Sequence, residues 1–277
     1  MSGVPEPTMT TKTGDPGPVV DDQMRVYWQT GCTACLRTKE FLARHGIPFV
    51  SRNVLADDEA FAELARFGIR QVPIVTRGDQ WANGQVLADV ARVAGIPWGT
   101  QNILAVAELA RRLELILTGA QRYAAQLPDA CLDQLLPNRP RSYAGLVFHI
   151  FYIAECFLEH DQGIGLTYEA YSRTPPPAMK SKSDLVAYGH DVQSRLSQWF
   201  GGPGQSADWN ARADVYYGEQ TLHQFLERTT WHAGQHTRQL MWLLDAQFGI
   251  APERPLGHEV FAGLPMPVQV WDGMETA

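Results

Sequence analysis

Cysteine is scarce in this chain: four residues in 277, two of them set in one Cys-x-x-Cys. That usage does not make a secreted disulfide framework. No apolar run reaches about 18 residues, so no membrane-spanning helix is expected. Residues 1–22 lack the apolar core of a signal peptide. Rich in Pro, Gly and Thr, they read as a disordered leader. No basic cluster stands out and the formal net charge is −7, so nucleic acid is not an expected partner. There is no internal repeat, and no second Cys-x-x-Cys to complete a zinc site. These absences leave a protein expected in a reducing cytoplasm. Its 45% hydrophobic residues suffice for a packed core in both halves.

The first third alternates strand and helix patterns. Residues 24–29 are rich in β-formers, and 33–45 carry Leu36, Phe41 and Leu42 at helical spacing before Gly46. Residues 48–54 predict a second strand. Residues 57–67 predict a helix with Asp57 or Asp58 at its cap and Gly68 after it. Segments 72–76 and 80–82 flank Arg77-Gly78-Asp79, a hairpin signal, and 86–94 form a last helix ended by Gly95. The order is β-α-β-α-β-β-α, an α/β unit over residues 23–97 whose first crossover joins parallel strands right-handedly.

Pro97-Trp98-Gly99-Thr100 reads as a linker. The pattern beyond it is helical. Residues 102–126 repeat Ile103, Val106, Leu109, Leu113, Ile116 and Leu117 at threes and fours, and 143–159, 183–200 and 218–248 follow. Four long helices predict an all-α four-helix bundle over residues 101–250, an architecture that sets metal sites between facing helices. Residues 164–182 make a long connection and 201–208 a Gly/Ser-rich turn. Residues 251–277 form an irregular tail over the bundle.

Two places carry chemistry. In the first, Val26-Tyr27-Trp28 runs into Gly31-Cys32-Thr33-Ala34-Cys35 where strand gives way to helix. Unpaired N–H groups and the helix dipole favour a thiolate there. The thiolate is the reactive form, and its pKa falls at helix N-termini and in Cys-x-x-Cys motifs. Cys32, at an exposed helix start, is the expected nucleophile. Cys35, one turn in and more buried, is the expected resolving thiol. Gln71-Val72-Pro73 opens a later strand. A cis Val72–Pro73 bond would aim the preceding backbone at Cys32, free to pair with an extended thiol peptide.

On Cys32-Thr33-Ala34-Cys35, Gly68-Ile69-Arg70-Gln71-Val72-Pro73 and Asn83-Gly84, residues 24–96 resemble a glutaredoxin of the class near NrdH-type redoxins and mycoredoxins. The resemblance implies a thioredoxin-like fold, a redox-active disulfide and thiol–disulfide oxidoreductase activity. It also implies a groove for a low-molecular-weight thiol such as glutathione, and for its mixed disulfides. By position, Arg70, Gln71, Val72, Pro73 and Gly84 would hold that thiol, with Gln85 beside them. Thr33 stands where many glutaredoxins have proline. Asn83-Gly84-Gln85 stands where the family often has a Gly-Gly turn followed by Asp.

The second place is Trp231-His232-Ala233-Gly234-Gln235-His236 in the last long helix. His232 and His236, four apart, share one helix face about one turn apart, a spacing at which two imidazoles grip one metal. His149 lies in Leu146-Val147-Phe148-His149-Ile150-Phe151, an apolar stretch where an unpaired histidine is costly. Three neutral histidines with an open position suit Zn²⁺, Ni²⁺ or Fe²⁺. With Gln239 following His236, residues 101–250 resemble the DinB/YfiT-like four-helix bundles, some of which are bacterial thiol S-transferases. The resemblance implies a divalent metal held by His149, His232 and His236, and a homodimer as a partner state. Cys156, two turns beyond His149, reads as a core filler, with an approach to the metal cavity or a role as acceptor for Cys32 as the alternative, and Cys131 carries no assigned role. His45, His160, His190, His223 and His258 read as structural or surface residues.

Together the two resemblances imply a glutaredoxin-type oxidoreductase coupled to a metal-dependent thiol S-transferase, in detoxification or thiol homeostasis. Two alternatives stand beside it. One is a non-catalytic metal-binding scaffold that delivers the redoxin; the other is a metal-dependent hydrolase with an accessory redoxin.

Overall fold

The computed structural model describes residues 22–99 and 101–272; apart from Asp22, the expected leader lies outside the described residues. The first part holds β1 (Arg25–Trp28), α1 (Thr33–Arg44), β2 (Val50–Asn53), α2 (Asp58–Ala65), β3 (Ile74–Arg77), β4 (Gln80–Asn83) and α3 (Leu87–Ala94). The strands form one sheet in the order β2-β1-β3-β4. β1 runs parallel to β2 and antiparallel to β3, and β3 is antiparallel to β4. This is the expected element order, and it fits a thioredoxin-like fold. Successive strand residues point to opposite faces. Val26 and Val75 join Phe41, Leu42 and Val90 on one face, while Tyr27 and Ile74 join Val54, Leu64 and Ile69 on the other. The Val72–Pro73 bond is cis, as expected.

A helical region follows. Its long members are α4 (Val106–Gln126), α5 (Tyr143–Asp161), α7 (Lys182–Gly201) and α8 (Leu222–Phe248). Shorter pieces are α6 (Tyr168–Tyr171), α9 (His258–Phe261) and the paired β5 (Arg212–Ala213) and β6 (Gln220–Thr221). Helices α4 and α5 each pack against both α7 and α8. Leu113 and Ile116 of α4, Ile150 and Phe151 of α5, Val192 of α7 and Leu240 of α8 share one core.

Two helix starts and one connection depart most from the sequence pattern. Helix α4 starts at Val106 rather than 102, because the Leu104 carbonyl is bonded by His223 Nε2 at 2.8 Å instead of entering a helix. Helix α8 starts at Leu222 rather than 218: Gly218 is left-handed and Gln220–Thr221 pairs with Arg212–Ala213. Thr221 then caps α8 in a reciprocal capping box with Gln224. The connection over 164–182 is not structureless, since it contains the turn of α6.

The segment after α8 ties the two parts together. Trp271 stacks on Trp242 of α8 at 5.8 Å. Asp272 accepts from the Gly31 N–H at 2.9 Å and pairs with Lys39 of α1 at 2.7 Å. Glu40 of α1 accepts from the Val268 and Gln269 N–H groups at 2.6 and 2.9 Å. Alongside, Arg37 of α1 lies 4.4 Å over the Trp231 ring of α8. Among the described residues, no helix is long and apolar enough to cross a membrane.

Helix α7 approaches α5 at Gly189, where an added Cβ would lie 2.6 Å from Phe151 Cζ. Alanine is about 1 kcal/mol better than glycine inside a helix. Overpacking a closed core costs about 1–3 kcal/mol. Phe151 is fully buried, so the second effect dominates. Gly189→Ala is expected to lower stability in urea denaturation, opposite to its helix propensity.

Candidate active site

Cys32 is the N-cap of α1, and its sulfur accepts from the Cys35 N–H at 3.3 Å. The two cysteines are joined as a disulfide. Cys35 is fully buried and Cys32 only half-buried, so an incoming group meets Cys32 first. The expectation that Cys32 sits at an exposed helix start needs correction. The start of α1 faces the helical region, and Cys32 opens into a cavity of about 70 Å³ between the two parts.

The same cavity is lined by His149 of α5 and by His232 and His236 of α8. All three imidazoles are buried, and one ring nitrogen of each lies within 4.8 Å of the others. His232 Nε2 and His236 Nε2 are 3.2 Å apart. Tetrahedral zinc, at about 2.0–2.1 Å from each nitrogen, would set two ligand nitrogens about 3.3 Å apart. His236 Nδ1 donates to Gln239 Oε1 at 2.7 Å, which leaves the Nε2 lone pair facing the cluster. His232 Nε2 also lies 3.1 Å from Thr33 Oγ1 and 2.5 Å from the Tyr171 hydroxyl. The proline found in many glutaredoxins at this place has no hydroxyl to offer; Thr33 joins the Cys-x-x-Cys turn directly to the histidine cluster.

Burial holds all three imidazole pKa values well below the ordinary histidine range. Nearby arginines push the same way: Arg141 on His149 and His236, Arg228 on His232. The rings are therefore neutral near pH 7, the form that binds metals.

The residues expected to hold a thiol divide. Val72 lines the cavity, as does Gln85. Gln85 is tied to the helical region: Oε1 accepts from Arg228 Nε at 3.0 Å and Nε2 donates to the Tyr216 hydroxyl at 2.9 Å. Pro73 and Gly84 lie buried beneath, the Gly84 N–H donating to the Pro73 carbonyl at 2.9 Å. A Cβ at Gly84 would come within 2.7 Å of Thr38 Oγ1, so glycine permits this close approach. Gln71 is half-buried and Arg70 exposed, and neither lines the cavity.

The remaining residues behave as structural parts. Cys156 is buried away from the cavity, and burial pushes its thiol up to about 12. Cys131 is buried too. His160 accepts from the Asp214 N–H at 3.1 Å. Sequence reasoning missed Arg139, Arg141, Tyr171 and Tyr216, all of which line the cavity. A readable signal was Arg139-Pro140-Arg141, two cations fixed by a proline immediately before Ser142, the cap of α5.

The Glutaredoxin family model matches residues 24–81. No curated protein and no solved structure matches the chain. The matched span runs from β1 into β4 and includes the Cys32–Cys35 pair, which points to thiol–disulfide redox chemistry. It does not reach the helical region.

The depressed imidazole pKa values carry a pH signature. Above pH of about 6.5 the rings are neutral in folded and unfolded chains alike. Below it the unfolded chain takes up protons that the folded chain refuses, so stability falls with pH. In metal-free protein the melting temperature is expected to drop between pH 7.5 and 5. The slope is at most about 1.4 kcal/mol per pH unit for each imidazole. Replacing His149, His232 and His236 together by Gln is expected to flatten that dependence in a thermal-melt series.

Proposed function

We propose that this chain is a glutaredoxin-type thiol–disulfide oxidoreductase whose partner is a low-molecular-weight thiol handled at a divalent metal. His149, His232 and His236 would hold the metal, in a helical region read as a DinB/YfiT-like four-helix bundle. The metal, as Zn²⁺, Ni²⁺ or Fe²⁺, would lower the pKa of a bound thiol and keep it as thiolate. The observation that carries this reading is that Cys32 and the three imidazoles line one cavity, with Thr33 Oγ1 3.1 Å from His232 Nε2. A scaffold that merely delivered a redoxin would have no need to bury neutral imidazoles against the redox helix.

The chain's own residues then do the following. Val72 and Thr33 border the approach to the disulfide. A thiolate entering from the cavity attacks Cys32 Sγ, the accessible sulfur. The new bond joins Cys32 to the thiol, and the Cys32–Cys35 bond breaks. Its electron pair leaves on Cys35 Sγ at the start of α1, where N–H groups and the helix dipole favour the anion. Run backwards, Cys35 attacks a Cys32 mixed disulfide, closes the disulfide again and frees the small thiol. Tyr171, 2.5 Å from His232, is placed to donate a hydrogen bond to whatever occupies the cavity. Transfer of the activated thiol to an electrophile, in detoxification or thiol homeostasis, is the second half of the proposal.

Metal analysis of the purified chain, combined with the rate at which glutathione opens the Cys32–Cys35 disulfide, tests the reading. The parent is expected to retain bound metal. His232→Ala is expected to lose it and to react with glutathione at pH 7 at least about tenfold more slowly, since a free thiol is mostly protonated at that pH. Its disulfide should still open at the parental rate with a phosphine, which needs no thiolate. Cys32→Ser should keep the metal and lose exchange. A metal-free parent, or equal glutathione rates in parent and His232→Ala, would overturn the reading.

A further inference from the structure

The cavity has a charge imbalance that neither the redox pair nor the imidazoles explain. Arg139 and Arg141 line it beside His149, His232 and His236. No Asp or Glu does so among the described residues. Arg141 Nη1 is buried with no hydrogen-bond partner, an unusual state for so strong a donor. Arg139 donates to the Gly31 carbonyl, a neutral acceptor. One carboxylate does act on Arg139, that of Asp272, but it is engaged by the Gly31 N–H and by Lys39.

The turn that carries the two arginines is tightly built. The Leu136 N–H donates to the Arg141 carbonyl at 2.8 Å, and the Arg139 N–H to the Leu136 carbonyl at 3.2 Å. Leu135 and Ser142 form a bridge across its base. Asn138 is left-handed, a conformation asparagine tolerates better than most residues. Pro140 fixes the backbone between the arginines. The backbone that carries the two arginines is therefore held by its own local bonds. A guanidinium group matches the planar, two-oxygen geometry of a carboxylate. The cavity, at about 70 Å³, has room for a small group only.

We propose that Arg139 and Arg141 form a carboxylate-binding clamp beside the imidazole cluster, which takes the carboxylate of the small ligand processed there. The carboxylate is borne either by the thiol itself or by a second small substrate. The assignment of a thiol and metal to this cavity rests on the function proposed above; the clamp rests on the arginines alone.

The test uses the full chain in two arms. In the first, metal-free protein is titrated with acetate and with acetamide, its neutral counterpart, by calorimetry in low chloride. Acetate is expected to bind and acetamide not. Arg141→Gln is expected to weaken acetate at least about tenfold, the loss of a charge-assisted bond. Arg141→Lys, which keeps the charge without the planar fork, should retain part of the affinity and checks that the turn still folds. The second arm uses Co²⁺-loaded Cys32→Ser/Cys35→Ser protein, where exchange cannot occur. If the thiol bears the carboxylate, mercaptoacetate binds at least about tenfold tighter than mercaptoethanol, and acetate competes with it. If a second substrate bears it, acetate and mercaptoethanol bind together. Equal binding of acetate and acetamide by the parent, or acetate affinity unchanged in Arg141→Gln, would overturn the clamp. Failure of the parent to retain Co²⁺ would overturn the metal reading and leave the first arm to decide the clamp.

Discussion

Everything distinctive in this molecule depends on how the first turn of α1 meets the middle of α8. Arg37 stacks on Trp231 while its Nη2 donates to the Gln85 carbonyl at 2.7 Å. One turn earlier on α1, Thr33 reaches His232, the residue after Trp231. The segment after α8 closes the contact from outside through Asp272 and Glu40. Each bond alone is worth on the order of 1 kcal/mol. Their common effect is to hold a Cys-x-x-Cys turn against a histidine cluster, a registration that neither part dictates by itself.

Under the proposed function that contact would create an electrostatic conflict, and the same residues suggest how it would be relieved. The arginines around the cavity help keep the imidazoles neutral, the state that the proposed metal site would need. The same arginines would repel a dication held there. In a desolvated site this repulsion is weakly screened. An anionic occupant would remove the conflict, because guanidinium groups and a metal would both attract it. The surrounding charge would thus favour the thiolate or carboxylate that the proposals place here.

The first part was largely legible in the sequence because its cues are local. Alternating strands, Gly46, Gly68 and Gly95 after the helices and Val72-Pro73 each report on a few neighbouring residues. The pairing of His232 with His236 was legible for the same reason, as helix periodicity alone puts them on one face. The arrival of His149 beside them depends on how α5 packs on α8, and spacing only hinted at it. Arg139, Arg141, Tyr171 and Thr33 were harder. Their roles depend on surfaces that meet across long stretches of chain, 61 residues from Tyr171 to His232 and 199 from Thr33 to His232, and nothing local marks a threonine in Cys-x-x-Cys as a neighbour of a distant histidine. The misplaced start of α8 was avoidable, since Thr221 and Gln224 spell a capping box.

The cavity also constrains what can use the redox pair. A glutaredoxin-like site exposed on a surface can receive an extended peptide of a protein disulfide. Here Gln85, at the edge of the expected groove, is already bonded to Arg228 and Tyr216 of the helical region. The space in front of Cys32 is far below the roughly 300–1,000 Å³ of ordinary ligand pockets. A folded protein partner would have to displace the helical region and break the α1–α8 contact to reach the sulfur. A small thiol needs only to bring its sulfur end into the cavity. The arrangement that brings the histidines to Cys32 is therefore the same one that encloses its sulfur, and both are consequences of one packing contact.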